Sequence, residues 1–138
     1  MKTCILIILM GWCSLSTHAQ TKPVKILFDV TSKDSLTHQA VLRHVQMMSS
    51  QYTDSKFEVV VYGGALGMYL KDKSTVSKNI AAVSNNKNIT FAVCSETMRR
   101  QNIDKSQLLP GIVVVPDAIM EIVTKQGEGW GYIKEAHH

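Results

Sequence analysis

Cysteine is scarce in this chain. The 138 residues include three, and two of them, Cys4 and Cys13, lie in an N-terminal stretch with the features of a secretory leader. Lys2 gives that stretch a short positive start, Cys4 to Met10 an apolar core, and Ser14 to Ala19 a polar, small-residue end with no acidic residue before it. Thr17 and Ala19 place small side chains where a signal peptidase inspects them, so residues 1–19 read as a signal peptide cleaved before Gln20. Trp12 ahead of Cys13 disfavours a lipid anchor, and the apolar run is too short for a stable membrane span. The expected location is therefore periplasmic or secreted. Cleavage leaves Cys94 alone, which excludes a disulfide within the mature chain and a dithiol cycle of the thioredoxin type, since both need two sulfurs.

Concentrated charge is also missing. Fifteen Lys and Arg face eleven acidic residues, and losing Lys2 with the leader leaves a net charge of +3. The basic residues are scattered, with Arg99-Arg100 the densest pair, so no nucleic-acid partner is expected. No metal or other cofactor is expected either, because His38, His44, His137 and His138 lack compact ligand spacing. His38 and His44, six apart on one helix, read as exposed residues rather than partners of a cysteine hydrolase. Gly63-Gly64-Ala65-Leu66-Gly67 lacks the lysine and hydroxyl that follow a phosphate loop and reads as a tight turn. The sequence contains no internal repeat and no low-complexity segment.

What remains is an alternation of strands and helices. Val24 to Val30 reads as a strand, and Asp34 or Ser35 caps a helix over Leu36 to Tyr52 whose Val41, Val45, Met48 and Tyr52 share a face. Phe57 to Tyr62 reads as a second strand, stopped by Gly63-Gly64. A helix opened by Asp72 or Ser74 carries Val76, Ile80 and Val83 on one face and ends in Asn85 to Asn88. A third strand, Ile89 to Val93, precedes Cys94 and a short helix begun by Ser95, Glu96 and Thr97. Ile112 to Val115 reads as a strand buried on both faces. The next helix starts at Pro116, carries an Ile119, Ile122, Val123 and Gln126 stripe, and stops at Gly127 before a last short strand ending near Ile133. The 119 residues of the mature chain, 20–138, suffice for one domain. Such an order calls for an α/β domain with a mostly parallel sheet of about five strands, covered on both faces.

In such a sheet ligands gather outside the carboxyl ends of the strands. Asp29, Tyr62-Gly63-Gly64, Cys94-Ser95 and Pro116-Asp117 all fall at that edge. Cys94 is thus placed for access as well as for packing, and the start of the following helix favours its thiolate; an inert, buried core cysteine is the alternative. Trp130 and Tyr132 either offer aromatic contacts at the site or close the final strand onto the core.

Three ordered blocks carry a further signal: Phe91-Ala92-Val93-Cys94-Ser95-Glu96-Thr97-Met98, Leu109-Pro110-Gly111-Ile112-Val113-Val114-Val115-Pro116, and Gln126-Gly127-Glu128-Gly129-Trp130-Gly131-Tyr132-Ile133. Together they resemble the DsrE-like proteins of sulfur oxidation and sulfur relay, of the DsrEFH superfamily, over essentially the whole mature chain. The resemblance implies a three-layer α/β/α domain that assembles into homotrimers or homohexamers. It also implies a cysteine, matched by Cys94, that takes sulfane sulfur as a persulfide and exchanges it with a donor or acceptor protein. Ser95, Glu96, Thr97, Tyr62, Gly63 and Gly64 would support that site. Met68, Tyr69 and Leu70, apolar in a connecting segment, suggest an interface. Two features depart from the family pattern: Tyr62 stands where the second strand often ends in histidine, and the leader implies export. A non-catalytic oligomeric module that binds a small ligand or a protein at the same edge is the rival function.

Overall fold

The computed structural model describes residues 22–136; the leader, its cleavage point and His137-His138 lie outside them. Five strands, β1 (Lys25–Val30), β2 (Lys56–Val61), β3 (Ile89–Cys94), β4 (Val113–Val115) and β5 (Gly131–Glu135), form one sheet in the order β4-β3-β2-β1-β5. All its ladders are parallel. Four helices accompany them: α1 (Ser35–Gln51), α2 (Ser77–Val83), α3 (Ser95–Arg100) and α4 (Ala118–Gly127), with a 3₁₀ segment at Gly63–Tyr69. This is the three-layer α/β/α architecture expected from the strand–helix alternation.

Strand alternation divides the sheet's side chains between two faces. On the first face Phe28, Val30, Phe57, Val59 and Val93 pack against Val41, Leu42 and Val45 of α1 and Val76 and Ile80 at α2. Each such side chain, removed from water, contributes roughly 1.5–3 kcal/mol. Tyr69, wholly buried here, donates its hydroxyl to the Val59 carbonyl at 2.9 Å and meets Phe91 edge-on. Met68 and Leu70 are buried with it, so this segment closes the core instead of forming an exposed interface. The reason is local: the 3₁₀ coil turns these side chains back onto β2 and β3.

Among the described residues, the helix that covers the second face is α4. Ala118 and Ile122 pack on Leu27, Val60, Ala92, Cys94 and Val115, with Trp130 and Tyr62 at the margins. Glu58 is buried on this face and accepts an ion pair from Lys125 of α4 at 3.2 Å, with Glu121 at 3.5 Å from the same ammonium. The stripe expected along α4 is only partly inward: Ile119 and Val123 are more than half exposed, as is Met120 beside them. One helix lying on a sheet buries only the side chains that face it, and among the described residues no second helix shares this layer. β4 is likewise an edge strand with Val113 exposed, because it pairs only with β3.

The α1 N-cap is Asp34, whose carboxylate accepts from the Leu36 amide at 3.0 Å. α2 begins at Ser77, later than either Asp72 or Ser74, since Ser74 spends its hydroxyl accepting from Val76 N in the preceding turn. Among the described residues no helix is long and apolar enough to cross a membrane.

Burial pushes the Glu58 carboxyl above its ordinary value of 4.5, an effect that Lys125 only partly offsets. The folded protein therefore holds this proton more tightly than the unfolded chain, so the stability Glu58 contributes is present at low pH and is lost as pH rises through its raised pKa. Urea unfolding between about pH 4 and 8 should show this decline in the wild type. Glu58→Gln, which retains an acceptor for Lys125, should flatten that component.

Candidate functional site

Cys94 is the last residue of β3 and the N-cap of α3, with an extended backbone that turns the chain into the helix. It is the free cysteine among the described residues and is only 5% exposed. Its side chain shares the second face with Val60, Ala92 and Val115, yet it also lines an open pocket of about 130 Å³. Tyr62, Glu96, Thr97 and Arg100 form one side of that pocket, and Asp117, Ala118 and Ile119, at the start of α4, form the other. The thiol thus packs in the second-face core while its residue also lines this pocket.

Hydrogen bonds fix the pocket walls. Thr97, buried, accepts the Gly63 amide at 3.1 Å, and Gln101 donates to the Gly63 carbonyl at 2.9 Å, so the turn after β2 is tied to α3 at both polar groups. Gly63 sits at φ +59°, a left-handed conformation that favours glycine. A Cβ on Gly64 would stand 3.0 Å from the Thr31 carbonyl oxygen, so this residue permits close approach to the loop after β1 and faces a different cavity from Cys94. Ser95 donates to the Pro116 carbonyl at 2.9 Å, joining the ends of β3 and β4. Asp117 caps α4 by accepting from the amides of Ile119 and Met120. Glu96 is paired with Arg99 at 2.8 Å, and that guanidinium holds its carboxyl below the usual range.

A second set of polar groups adjoins Tyr62. Asp29 is 4% exposed in β1, the neighbour of edge strand β5, and its carboxylate accepts from Tyr132 at 2.7 Å, Lys134 at 2.9 Å and, more weakly, Tyr62 at 3.5 Å. The Lys134 ammonium also lies 5.7 Å from the centre of the Tyr62 ring. Tyr132 is held to Asp29 so firmly that its phenol is pushed up to about 12. Burial raises the Tyr62 phenol, with Asp29 adding to it and Cys94 contributing less. Tyr62 therefore stands between the Asp29 network and the Cys94 pocket as a protonated hydroxyl. Trp130 packs against the second-face core, with Lys125 4.9 Å above its ring, which matches a core-closing role more than a contact at the pocket.

No family model matches this chain, and no curated protein matches it significantly. Solved structures do. The protein of unknown function MTH1491 from Methanobacterium thermoautotrophicum superposes with a TM-score of 0.75 and 26% identity, over 80% of this chain and 98% of that one. The ychN protein from E. coli superposes with a TM-score of 0.67 and 11% identity, over 83% and 99% of the two chains. The fold is DsrEFH-like.

Within that DsrEFH-like frame, the chain brings together Cys94, Tyr62, Glu96 and Thr97 as the sequence suggested, while Ser95, Gly63 and Gly64 hold backbone rather than line the pocket. Among the described residues no histidine lines the pocket. His38, expected to be exposed, is buried, its Nε2 donating to the Ser32 carbonyl at 2.8 Å, and His44 reaches across to Glu135 of β5 at 2.7 Å. Among the described residues no three His, Cys, Asp or Glu side chains gather in a metal-holding group. Arg100 and Lys134 escaped the sequence reading. Arg100 had a faint signal in lying six residues after Cys94 on its helix, and Lys134 had none before β5 was known to pair with β1.

Removing the charge of Asp29 tests the network. In Asp29→Asn, ultraviolet titration should show Tyr132 ionising well below about 12, moving toward the ordinary 10.0. An unchanged high-pH phenolate transition would show that another group holds it.

Proposed function

We propose that the protein is an exported sulfur carrier or thiol-reactive protein of the DsrEFH-like type, with Cys94 as the nucleophile. The observation that supports this reading most is the position of Cys94: the end of an inner parallel strand, in the lining of a pocket that accommodates only a few atoms. A volume near 130 Å³ corresponds to about four waters at their liquid volume, enough for a short polysulfide and too little for a bulky substrate. The Cys94 thiolate would attack the terminal sulfur of a sulfane donor. An S–S bond forms at Sγ as the donor's S–S bond breaks, and the departing thiolate takes the electron pair. Arg100 in the lining favours an anionic donor, and Tyr62 lines the same pocket at the strand end where the family pattern often has histidine. The leader read at residues 1–19 supports action outside the cytoplasm, after cleavage before Gln20.

Self-association into a homotrimer or homohexamer belongs to the same proposal. Its support is the exposed apolar surface of Ile119, Met120, Val123 and Val113, which flanks the Cys94 pocket on the side of the sheet that a single helix covers. The same surface favours the second reading, a non-catalytic oligomeric module that binds a small ligand or a protein at this edge.

Intact mass separates the two. Incubation with inorganic polysulfide should add sulfur to the wild-type chain, a reductant should remove it, and Cys94→Ser should show no adduct while keeping the fold. A thiol that stays silent to polysulfide and to alkylation until the protein unfolds would leave the binding module as the function. Sedimentation should show an oligomer for the wild type and a shift toward monomer in Val123→Glu; a wild-type monomer at micromolar concentration would remove the assembly from the proposal.

A further inference from the structure

A second cavity lies at the carboxyl edge of the sheet, on the far side of the Gly63-Gly64 turn from Cys94. Its volume is about 300 Å³, at the lower end of small-molecule sites, and it opens between the loop after β1 and the 3₁₀ segment that follows β2. Lys33 and Lys73 both line it, with His38, Ser35, Thr75 and Gln101. No acidic residue lines it.

Neither lysine is spent elsewhere: among the described residues the ion pairs involve His44, Arg99, Lys125 and Lys134. The Ser35 and Thr75 hydroxyls are likewise uncommitted, whereas His38 is fixed in place, buried and bonded to the Ser32 carbonyl. Asp34 and Asp72, the acids nearest in sequence, do not line the cavity, and Asp34 is turned to the Leu36 amide. The close approach of Gly64 to Thr31 and Lys33 shapes the wall: any side chain there would press on the Thr31 carbonyl and part the two loops.

We infer that this cavity binds the phosphoryl group of a small phosphorylated molecule. Two compact ammonium groups and two hydroxyls line one space, and together they supply charge and hydrogen-bond donors for a multi-oxygen anion. Two lysines line the cavity, and a lysine serves a phosphate as a point charge. The cavity is larger than a bare phosphate requires, so the remainder of the ligand has room beside Leu70. The inference is independent of the chemistry at Cys94. The two sites are joined through one residue: Gln101, in this cavity, holds the Gly63 carbonyl, and Thr97, in the other, holds the Gly63 amide.

The probe is inorganic pyrophosphate, titrated into nitrogen-15-labelled protein at constant ionic strength and followed by amide chemical shifts, with citrate as the carboxylate counterpart. Saturable shifts are expected at Lys33 to His38 and at Gly63 to Gly67. The double variant Lys33→Ala, Lys73→Ala changes two exposed side chains and should weaken binding by about tenfold or more. Lys56→Ala with Lys87→Ala, at the opposite edge of the sheet, should leave it unchanged. Absence of saturable shifts, an equal loss in the control pair, or no loss in the Lys33/Lys73 pair would each overturn the site. Tighter binding of citrate than of pyrophosphate would overturn the phosphoryl assignment.

Discussion

Asp29 is a charge inside a sheet, and the far edge of the molecule is organised by what that charge requires. A carboxylate buried without partners would cost several kcal/mol, so β1 can hold one only if donors converge on it. β5 supplies two of them, Tyr132 and Lys134, from positions two apart in sequence and so on the same face of the strand. β5 is mostly exposed and has few apolar contacts of its own. Its attachment rests on the backbone ladder to β1, on this polar cluster, and on the His44–Glu135 contact from the opposite face. The third donor, Tyr62, carries the same constraint across to the pocket beside Cys94.

The second face repeats this logic with Glu58. Its buried carboxylate draws Lys125 inward and so sets the docking of α4. The first turn of α4, with Asp117 as its cap, is one wall of the Cys94 pocket. The apolar contacts of Ala118 and Ile122 supply the burial, while the ion pair restricts where along the sheet the helix can sit. The pocket is thus bounded by elements held at two separate buried charges, neither of which touches Cys94.

The regular elements were legible because their periodicities are local. The α1 face, the β-branched strands and the Asp34 cap can be read from neighbours a few residues apart, and the three-layer architecture follows from their alternation. The exposure of Ile119 and Val123 could not be read that way, since a helical stripe shows which side chains align and not how many elements pack on them. His38 misled for a related reason: its partner is the Ser32 backbone, which carries no sequence signature. Cys94, Tyr62 and Thr97 were found from strand ends and turn residues. The link from Asp29 to Tyr132 and Lys134 needed the β1–β5 pairing, a contact across about a hundred positions, which no local pattern encodes.

β4 has only three residues, and Pro110 and Pro116 stand on either side of it. A proline has no amide hydrogen to offer, and a strand this short presents few unpaired groups, so this margin of the sheet is a poor template for another strand. Lateral growth into fibrils or strand-swapped pairs is disfavoured there by the backbone. Contacts with other molecules on this side are left to side chains, which can be selective where an open ladder would accept almost any extended peptide.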